Sequence, residues 1–132
     1  MQGLVKVRNF GRDARSQAGT IAGTDAFAES PPVILEIADI RVQPGQGDAF
    51  AEAIQRGLAT VISRAQGFQG YKVNRGVENP ERFVLQIFWN TLEDHTVHFR
   101  GGPLFAEWRA IVGPFFAAPP VVEHFTLVAK SA

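Results

Sequence analysis

The sequence predicts an α+β domain whose elements follow the order β-α-β-β-α-β. Four short runs rich in β-branched and aromatic residues alternate with two stretches whose apolar residues recur at helical spacing. Glycine or proline breaks separate these runs. This order is that of the ferredoxin-like arrangement, in which a four-stranded antiparallel sheet carries its helices on one face. A length of 132 residues leaves room for one such domain.

The composition is that of an ordinary globular protein, with 45% apolar and 20% charged residues. Thirteen basic residues balance thirteen acidic ones, so no overall charge favours binding to nucleic acid or to an anionic membrane. The chain has no cysteine, which excludes disulfides, thiol catalysis and cysteine-bound metals. No apolar run approaches the ~20 residues of a membrane helix, and no secretory signal opens the chain. We therefore expect a cytoplasmic protein without a membrane partner.

The first 32 residues differ from the rest of the chain. They scatter Gly, Ser, Thr and Arg without a sustained period of either strand or helix. We expect an N-terminal extension over residues 1–32, either poorly structured or contributing a short edge strand at 4–8. Pro31 and Pro32 close this extension, and the folded domain is predicted to span 33–132.

The domain opens with a predicted strand at 33–43, which Pro44 and Gly45 end. A predicted amphipathic helix at 48–65 follows, and Gly67 is placed to stop it in a left-handed cap. The remaining predicted elements are strands at 68–77 and 82–89, a helix at 91–99, a short helix at 103–112 and a strand at 121–129. Thr91 and Asp94 begin the second helix with an approximate capping box.

Three of the four predicted strands have apolar residues on both faces. Helices can cover only one face of a four-stranded sheet, so a monomer would leave the other apolar face in water. Monomers rarely tolerate an exposed patch of that size. The sequence therefore predicts a homodimer that pairs through its sheet faces.

Four segments together resemble the antibiotic biosynthesis monooxygenase family, a group of dimeric α+β barrels. They are VILEIADIRVQPG (33–45), GFQGYKVNRGVENPERFVLQIFW (67–89), DHTVHFRGGPLFAEWR (94–109) and GPFFAAPPVVEHF (113–125). The resemblance implies a cavity in each subunit between the sheet and its helices. In cofactor-free members a phenol or quinol supplies its own electrons to dioxygen, and an apolar pocket shields the intermediates. It thus implies a small phenolic, quinol or polyketide-like aromatic ligand, with dioxygen as co-substrate and no cofactor.

Haem is not expected as a cofactor. The haem-degrading relatives rely on an Asn of the first strand, where this chain has Glu36 and Asp39 instead. They also rely on a Trp and a His from the second helical region. By position, His98 falls where that Trp is expected and Trp108 where that His is. No glycine-rich dinucleotide fingerprint follows any strand, which also disfavours bound NAD or flavin.

His95 is the first candidate for catalysis. It shares a helical stripe with Leu92 and Phe99, so we expect its imidazole to face the cavity and to accept a phenol proton. The open alternative is a buried histidine bonded to a backbone carbonyl or to Glu36. His98, one turn on, is the second candidate, and an outward orientation is the alternative for it. The pair lacks a third ligand at metal-binding spacing, so no metal is expected.

The same region supplies candidates for ligand binding. Arg100 is placed to hold a phenolate or carboxylate at the cavity mouth, and the alternative is a charge that stabilises the end of a helix. Trp89 and Trp108 would stack on a ligand or else fill the core.

Three strand residues complete the candidate ligand-binding set. Tyr71 and Asp39 would hydrogen-bond a ligand from the sheet, although Asp39 could instead pair with Arg41 or Arg75 at the dimer interface. Glu36 is an acid in an apolar strand, which predicts either a paired carboxylate or a raised pKa.

These features favour a cofactor-independent monooxygenase. Two alternatives stay open from the residues alone. One is a small-molecule-binding module of the same fold without a working base. The other is an isomerase or cyclase that uses His95 for proton transfer without oxygen.

Overall fold

The folded part of the chain is built on one antiparallel sheet, in a computed structural model that describes residues 33–132. Its elements are β1 (Ile34–Arg41), α1 (Gly47–Thr60), β2 (Phe68–Arg75), β3 (Arg82–Trp89), a π-helical segment (Asp94–Phe99), α2 (Pro103–Val112) and β4 (Val121–Thr126). The strands pair in the order β2-β3-β1-β4. The predicted ferredoxin-like α+β order is confirmed. The extension predicted for residues 1–32, with its edge strand, lies outside the described residues.

The two faces of the sheet differ in burial. Along β1 the side chains alternate, so that Ile34, Glu36, Ala38 and Ile40 are buried beneath the helices. The intervening residues of β1 lie on the opposite face, which we call the outer face, and are only partly buried. β3 repeats this alternation from Phe83 to Trp89, as the two-residue period of a strand requires. The helices therefore cover one face.

The core lies between this buried face and the two α-helices. Phe50, Ile54 and Leu58 of α1 are almost fully buried, and α2 contributes Trp108 and Val112. Gly57 permits the close approach of the helices, because a Cβ at this position would lie 2.9 Å from the indole of Trp108. Helix packing thus fixes the position of α2 over the sheet. Within residues 33–132, no helix combines the length and hydropathy needed to cross a bilayer.

Several element ends differ from the predicted ones. α1 stops at Thr60 and continues only as a 3₁₀ turn, Ile62–Arg64, because the chain must tighten to reach Gly67. β2 ends at Arg75 and β4 at Thr126, both short of the prediction. After β2, the N–H of Gly76 still donates to the carbonyl oxygen of Arg82 at 2.7 Å before the chain turns at the exposed Val77; the residues that follow β4 are exposed.

The helix predicted at 91–99 is largely a π-helix. Its Thr91–Asp94 capping box forms: each backbone N–H donates to the other residue's side-chain oxygen at 3.1 Å. The backbone then widens, and the N–H of Arg100 donates to the carbonyl oxygen of His95, five residues earlier, at 3.0 Å. Such wide turns often occur at functional sites. Here the wide turn brings His95 and Arg100, which an α-helix would point in different directions, to the same side.

Gly67 has the positive φ predicted for it, +82°, and packs against the carboxylate of Asp94. We expect Gly67→Ala to lower the free energy of unfolding by more than the ~1 kcal/mol that positive φ alone costs, because the new Cβ would overlap Asp94. Gly45→Ala is the matched control: its φ is +78°, yet no atom lies within 4 Å of a Cβ there. Urea denaturation at one protein concentration measures both. Equal losses would contradict the close Asp94 contact.

Candidate active site

A cavity of about 280 Å³ opens between the sheet, the π-helical segment and α2. Its wall is mainly apolar, with Ile62, Leu85, Ile87, Phe99, Trp108 and Phe116 among the lining residues. Glu36, His95, Arg100 and Arg109 are the ionisable side chains that reach it. An apolar cavity with a few convergent polar groups is the usual form of a small-molecule site. Since benzene occupies an engineered cavity of about 150 Å³, this volume suits a ligand of one or two rings.

One end of the cavity is formed by a buried group of four polar side chains. The indole N–H of Trp89 donates to Oε1 of Glu36 at 2.9 Å. The same carboxyl oxygen lies 3.5 Å from Nε2 of His95. On the other side of that imidazole, Nδ1 lies 2.8 Å from Nε2 of His124. The group therefore runs continuously from Trp89 through Glu36 and His95 to His124, and only Glu36 and His95 line the cavity.

Sheet register brings this group together. Glu36 of β1 lies opposite His124 of β4, and both side chains are directed to the buried face. Trp89 ends β3 on the same face, where its indole reaches Glu36. The π-helical segment supplies His95, whose ring stacks on that of Trp89 with centroids 5.3 Å apart. Trp89 of β3 and His95 of the π-helical segment thus meet at the Glu36 carboxyl of β1, and His124 of β4 contacts His95.

Burial shifts both ionisable groups toward their neutral forms. Burial raises the pKa of Glu36 from 4.5 to about 7, although the hydrogen bond from Trp89 and the charges of His124 and Arg100 oppose the shift. Burial lowers the pKa of His95 from 6.5 to about 3, and the positive charge of Arg100 adds to that shift. Desolvation disfavours the charged form of each group. At neutral pH, His95 is uncharged and Glu36 is close to its midpoint.

A neutral imidazole carries one N–H, so His95 has two tautomers; each can hydrogen-bond to His124 at Nδ1, while Nε2 lies 3.5 Å from Glu36 without a hydrogen bond. In one, a protonated Glu36 faces the bare Nε2 of His95 while Nδ1–H donates to His124. In the other, His124 donates to Nδ1 and the Nε2–H of His95 faces an ionised Glu36 at 3.5 Å. Proton transfer along the group converts one arrangement into the other. The arrangement can therefore take up or release a proton at the cavity wall.

Two arginines lie elsewhere on the cavity wall. The guanidinium of Arg100 lies over the ring of Phe105, with Cζ 5.0 Å from the ring centroid. Arg109 of α2 lies by the same ring at 5.9 Å. Both distances fall within the range of cation–π contacts. The cavity wall therefore has a positively charged part, at Arg100 and Arg109, in addition to the Glu36–His95 group.

Of the residues predicted to bind or react, four line the cavity: Glu36, His95, Arg100 and Trp108. Trp89 lies behind the cavity wall as the donor to Glu36. Their roles toward a ligand stay predictions.

The other three predicted residues do not line this cavity. His98 is exposed on the far side of the π-helical segment. Tyr71 is 40% exposed on the edge strand β2. Asp39 lies on the outer face, where Arg82 donates to both of its carboxylate oxygens at 3.0 and 2.8 Å. Those hydrogen bonds hold the pKa of Asp39 below its ordinary value.

His124, Arg109 and Phe105 were not among the predicted site residues. His124 follows Val122 at strand spacing, which marks its face, but only the β1–β4 register shows that it reaches His95. Arg109 is in the last turn of α2, where a basic residue ordinarily stabilises the helix end. Within residues 33–132, no group of three or more His, Cys, Asp or Glu side chains is arranged to hold a metal ion.

Comparison with known proteins identifies the family. A family model described as antibiotic biosynthesis monooxygenase matches residues 33–111. The chain belongs to the antibiotic biosynthesis monooxygenase family. A curated member of similar sequence is the uncharacterized Bacillus subtilis (strain 168) protein YczJ, 32% identical over 93 residues that cover 70% of this chain and 97% of YczJ.

Solved structures share the antibiotic biosynthesis monooxygenase fold. A candidate member of the family from Bordetella bronchiseptica is 39% identical and superposes with a TM-score of 0.70, covering 74% of this chain and 99% of that one. A Streptomyces coelicolor monooxygenase, from the gene ActVA-Orf6 and in complex with the ligand nanaomycin D, is 18% identical with a TM-score of 0.65. It covers 76% of this chain and 92% of its own. At that identity the likeness is one of fold.

Proposed function

We propose that this protein is a cofactor-independent monooxygenase that oxidises a small phenolic or quinol aromatic with dioxygen. The observation that carries the proposal is the cavity itself, where a carboxyl group with a pKa of about 7 lies beside a neutral imidazole in an apolar wall. Membership of the antibiotic biosynthesis monooxygenase family supports this type of reaction. The nanaomycin D bound by the Streptomyces coelicolor neighbour is in keeping with a small-molecule ligand.

The first step is removal of the phenol proton. A phenol has an ordinary pKa of about 10, so it needs a base whose own pKa is close to neutrality. Glu36 meets that condition, with a pKa of about 7, whereas burial makes His95 too weak a base to hold the proton alone. His95 lies 3.5 Å from Glu36 and passes protons between the carboxyl and His124. Glu36 is thus the proposed proton acceptor, and His95 the residue that connects and positions it.

The second step is the reaction of the electron-rich phenolate with dioxygen. The phenolate transfers one electron to dioxygen, and the phenoxyl radical and superoxide combine through a carbon–oxygen bond. The protonated Glu36 returns its proton to the resulting peroxide anion, which gives a ring hydroperoxide. Loss of the hydrogen on that carbon with cleavage of the O–O bond leaves a quinone carbonyl and water. One atom of dioxygen enters the product and the other leaves as water, and the phenol supplies all four electrons. The apolar wall shields these intermediates from solvent.

The proposal is tested by oxygen uptake with a panel of phenols and quinols. Glu36→Gln keeps the side-chain size but removes the base, so we expect kcat to fall about 10²- to 10⁴-fold while ligand binding, followed by tryptophan fluorescence, changes little. His95→Gln should also lower kcat. Glu52→Gln, at an exposed position of α1, is the matched control and should leave uptake unchanged.

Three results would count against parts of this proposal. Ligand binding without oxygen uptake by the wild type would favour a binding module. Substrate conversion without oxygen would favour an isomerase or cyclase, because the same proton transfer needs no oxidant. Full uptake by Glu36→Gln would remove Glu36 as the base.

We further propose that two copies of the chain pair through the outer faces of their sheets. On this face Leu35 lies between Phe88 of β3 and Phe125 of β4, and all three side chains are only partly buried. Apolar side chains from neighbouring strands there form a continuous surface that a second sheet would remove from water. The proposed dimer leaves the cavity, on the opposite face, to each subunit.

Light scattering at micromolar concentration tests the dimer. We expect a mass twice the 14.4 kDa of the chain, and we expect Leu35→Asp to shift it toward the monomer because the new charge would be buried between two sheets. Val77→Asp, at a position that is 89% exposed after β2, should leave the mass unchanged. A wild-type mass of one chain would contradict the dimer. Circular dichroism checks that both variants keep their secondary structure.

A further inference from the structure

We infer that the aromatic ligand of this cavity carries a carboxylate on its ring. Arg100 and Arg109, whose guanidinium groups both lie by the ring of Phe105, bind that carboxylate. This inference names the substrate class of the proposed oxygenase. Binding of the carboxylate does not depend on that proposal, whereas the oxidation that follows binding rests on it. Three observations carry it: the balance of charge on the wall, the absence of acidic partners for the two arginines among residues 33–132, and the contacts of both arginines with Phe105.

The first observation is the charge balance of the cavity wall. Of the described residues that line it, Arg100 and Arg109 are the two cations and Glu36 is the one acid. Burial keeps Glu36 protonated below about pH 7 and keeps His95 neutral. The wall therefore carries a net positive charge at and below neutral pH. A low-dielectric cavity with an excess of one charge favours a ligand of the opposite charge.

The second observation separates these two arginines from others in the fold. Arg41 and Arg82 pair with Asp39, Arg64 pairs with Glu107, and Arg75 pairs with Asp48. Arg100 and Arg109 have no such carboxylate among residues 33–132. The Nε atom of each is shielded from solvent and has no hydrogen-bond partner within the same residues. Buried donors of this kind are ordinarily satisfied, and a carboxylate oxygen is the acceptor that best matches a guanidinium.

The third observation is the fixed position of the two guanidinium groups. Arg100 follows the π-helical segment and Arg109 is in the last turn of α2, so separate elements bring them to one ring. Phe105 packs edge-on against Phe99, a residue of the cavity wall, with centroids 5.6 Å apart. The aromatic ring thereby holds both cations at the wall instead of leaving them free to extend into water. The two guanidinium groups lie 5.0 and 5.9 Å from the Phe105 centroid, so an anion bound beside that ring is attracted by both charges.

The position of the pair also orients the ligand. Arg100 and Arg109 line the same cavity as Glu36 and His95, but belong to a different part of its wall, beside Phe105. A carboxylate on the arginines would therefore leave the rest of a one- or two-ring aromatic within the cavity, toward the Glu36–His95 end. The reacting phenol and the carboxylate would then occupy different parts of the same cavity.

Isothermal titration of the full chain with matched probes tests the inference. The probes are 1-naphthoate and 1-naphthamide, which share a shape and differ in charge. We expect naphthoate to bind at least about tenfold more tightly, because hydrogen bonds between charged groups are stronger than those to a neutral amide. Arg100→Met and Arg109→Met keep the aliphatic packing, and each should weaken naphthoate about tenfold or more while leaving naphthamide within about twofold. Arg100→Lys should restore part of the loss.

Arg56→Met removes an exposed arginine of α1 and should leave both affinities unchanged. Equal affinity for the two probes, an absence of naphthoate binding, or an equal loss for both probes in the arginine variants would each overturn the inference. Naphthoate binding without oxygen uptake from any phenolic acid would uphold the anion site while refuting the oxygenase. Undiminished uptake with phenolic acids in both Arg100→Met and Arg109→Met would uphold the oxygenase while refuting the anion site.

Discussion

The carboxyl group of Glu36 is buried on the helix-covered face of the sheet, and the side chains around it are arranged to satisfy that buried acid. A carboxyl removed from water must be neutral or bonded to donors, because an isolated buried charge is strongly unfavourable. Trp89 supplies one N–H, and His95 approaches the same oxygen from the cavity side. His95 is in turn fixed by His124. The requirement to satisfy one buried acid therefore connects β1, β3, β4 and the π-helical segment at a single point.

Because side chains alternate along β1, the two faces of the sheet present different residues and have different roles. Glu36 and Ala38 face the cavity and belong to its wall, while Leu35, Ile37 and Asp39 face outward. The outer residues are available for the proposed dimer, and the pairing of Asp39 with Arg82 places a satisfied charge on that face. Because successive strand residues point to opposite faces, subunit pairing and ligand binding do not compete for the same side chains.

Much of the fold could be predicted from the sequence, because strand and helix periodicity are local properties. The site was only partly accessible in this way. The two-residue period already separates Glu36 from Asp39, so both could not face one cavity. The contact of His95 with His124 joins residues 29 positions apart, and it depends on the β1–β4 register and on how the π-helical segment packs on the sheet. The π-helical widening, which turns Arg100 inward, depends on how the segment packs and leaves no periodic signature in six residues.

The protonation of the buried group is the point on which the proposed chemistry depends most directly. NMR titration of the full chain, with ¹³C at glutamate carboxyls and ¹⁵N at histidine rings, measures it. The Glu36→Gln variant assigns the Glu36 resonance. We expect Glu36 to titrate with a midpoint near pH 7 instead of 4.5, and His95 to remain neutral at pH 5, below its ordinary pKa of 6.5. A Glu36 midpoint near 4.5 together with protonation of His95 near 6.5 would contradict a buried neutral pair.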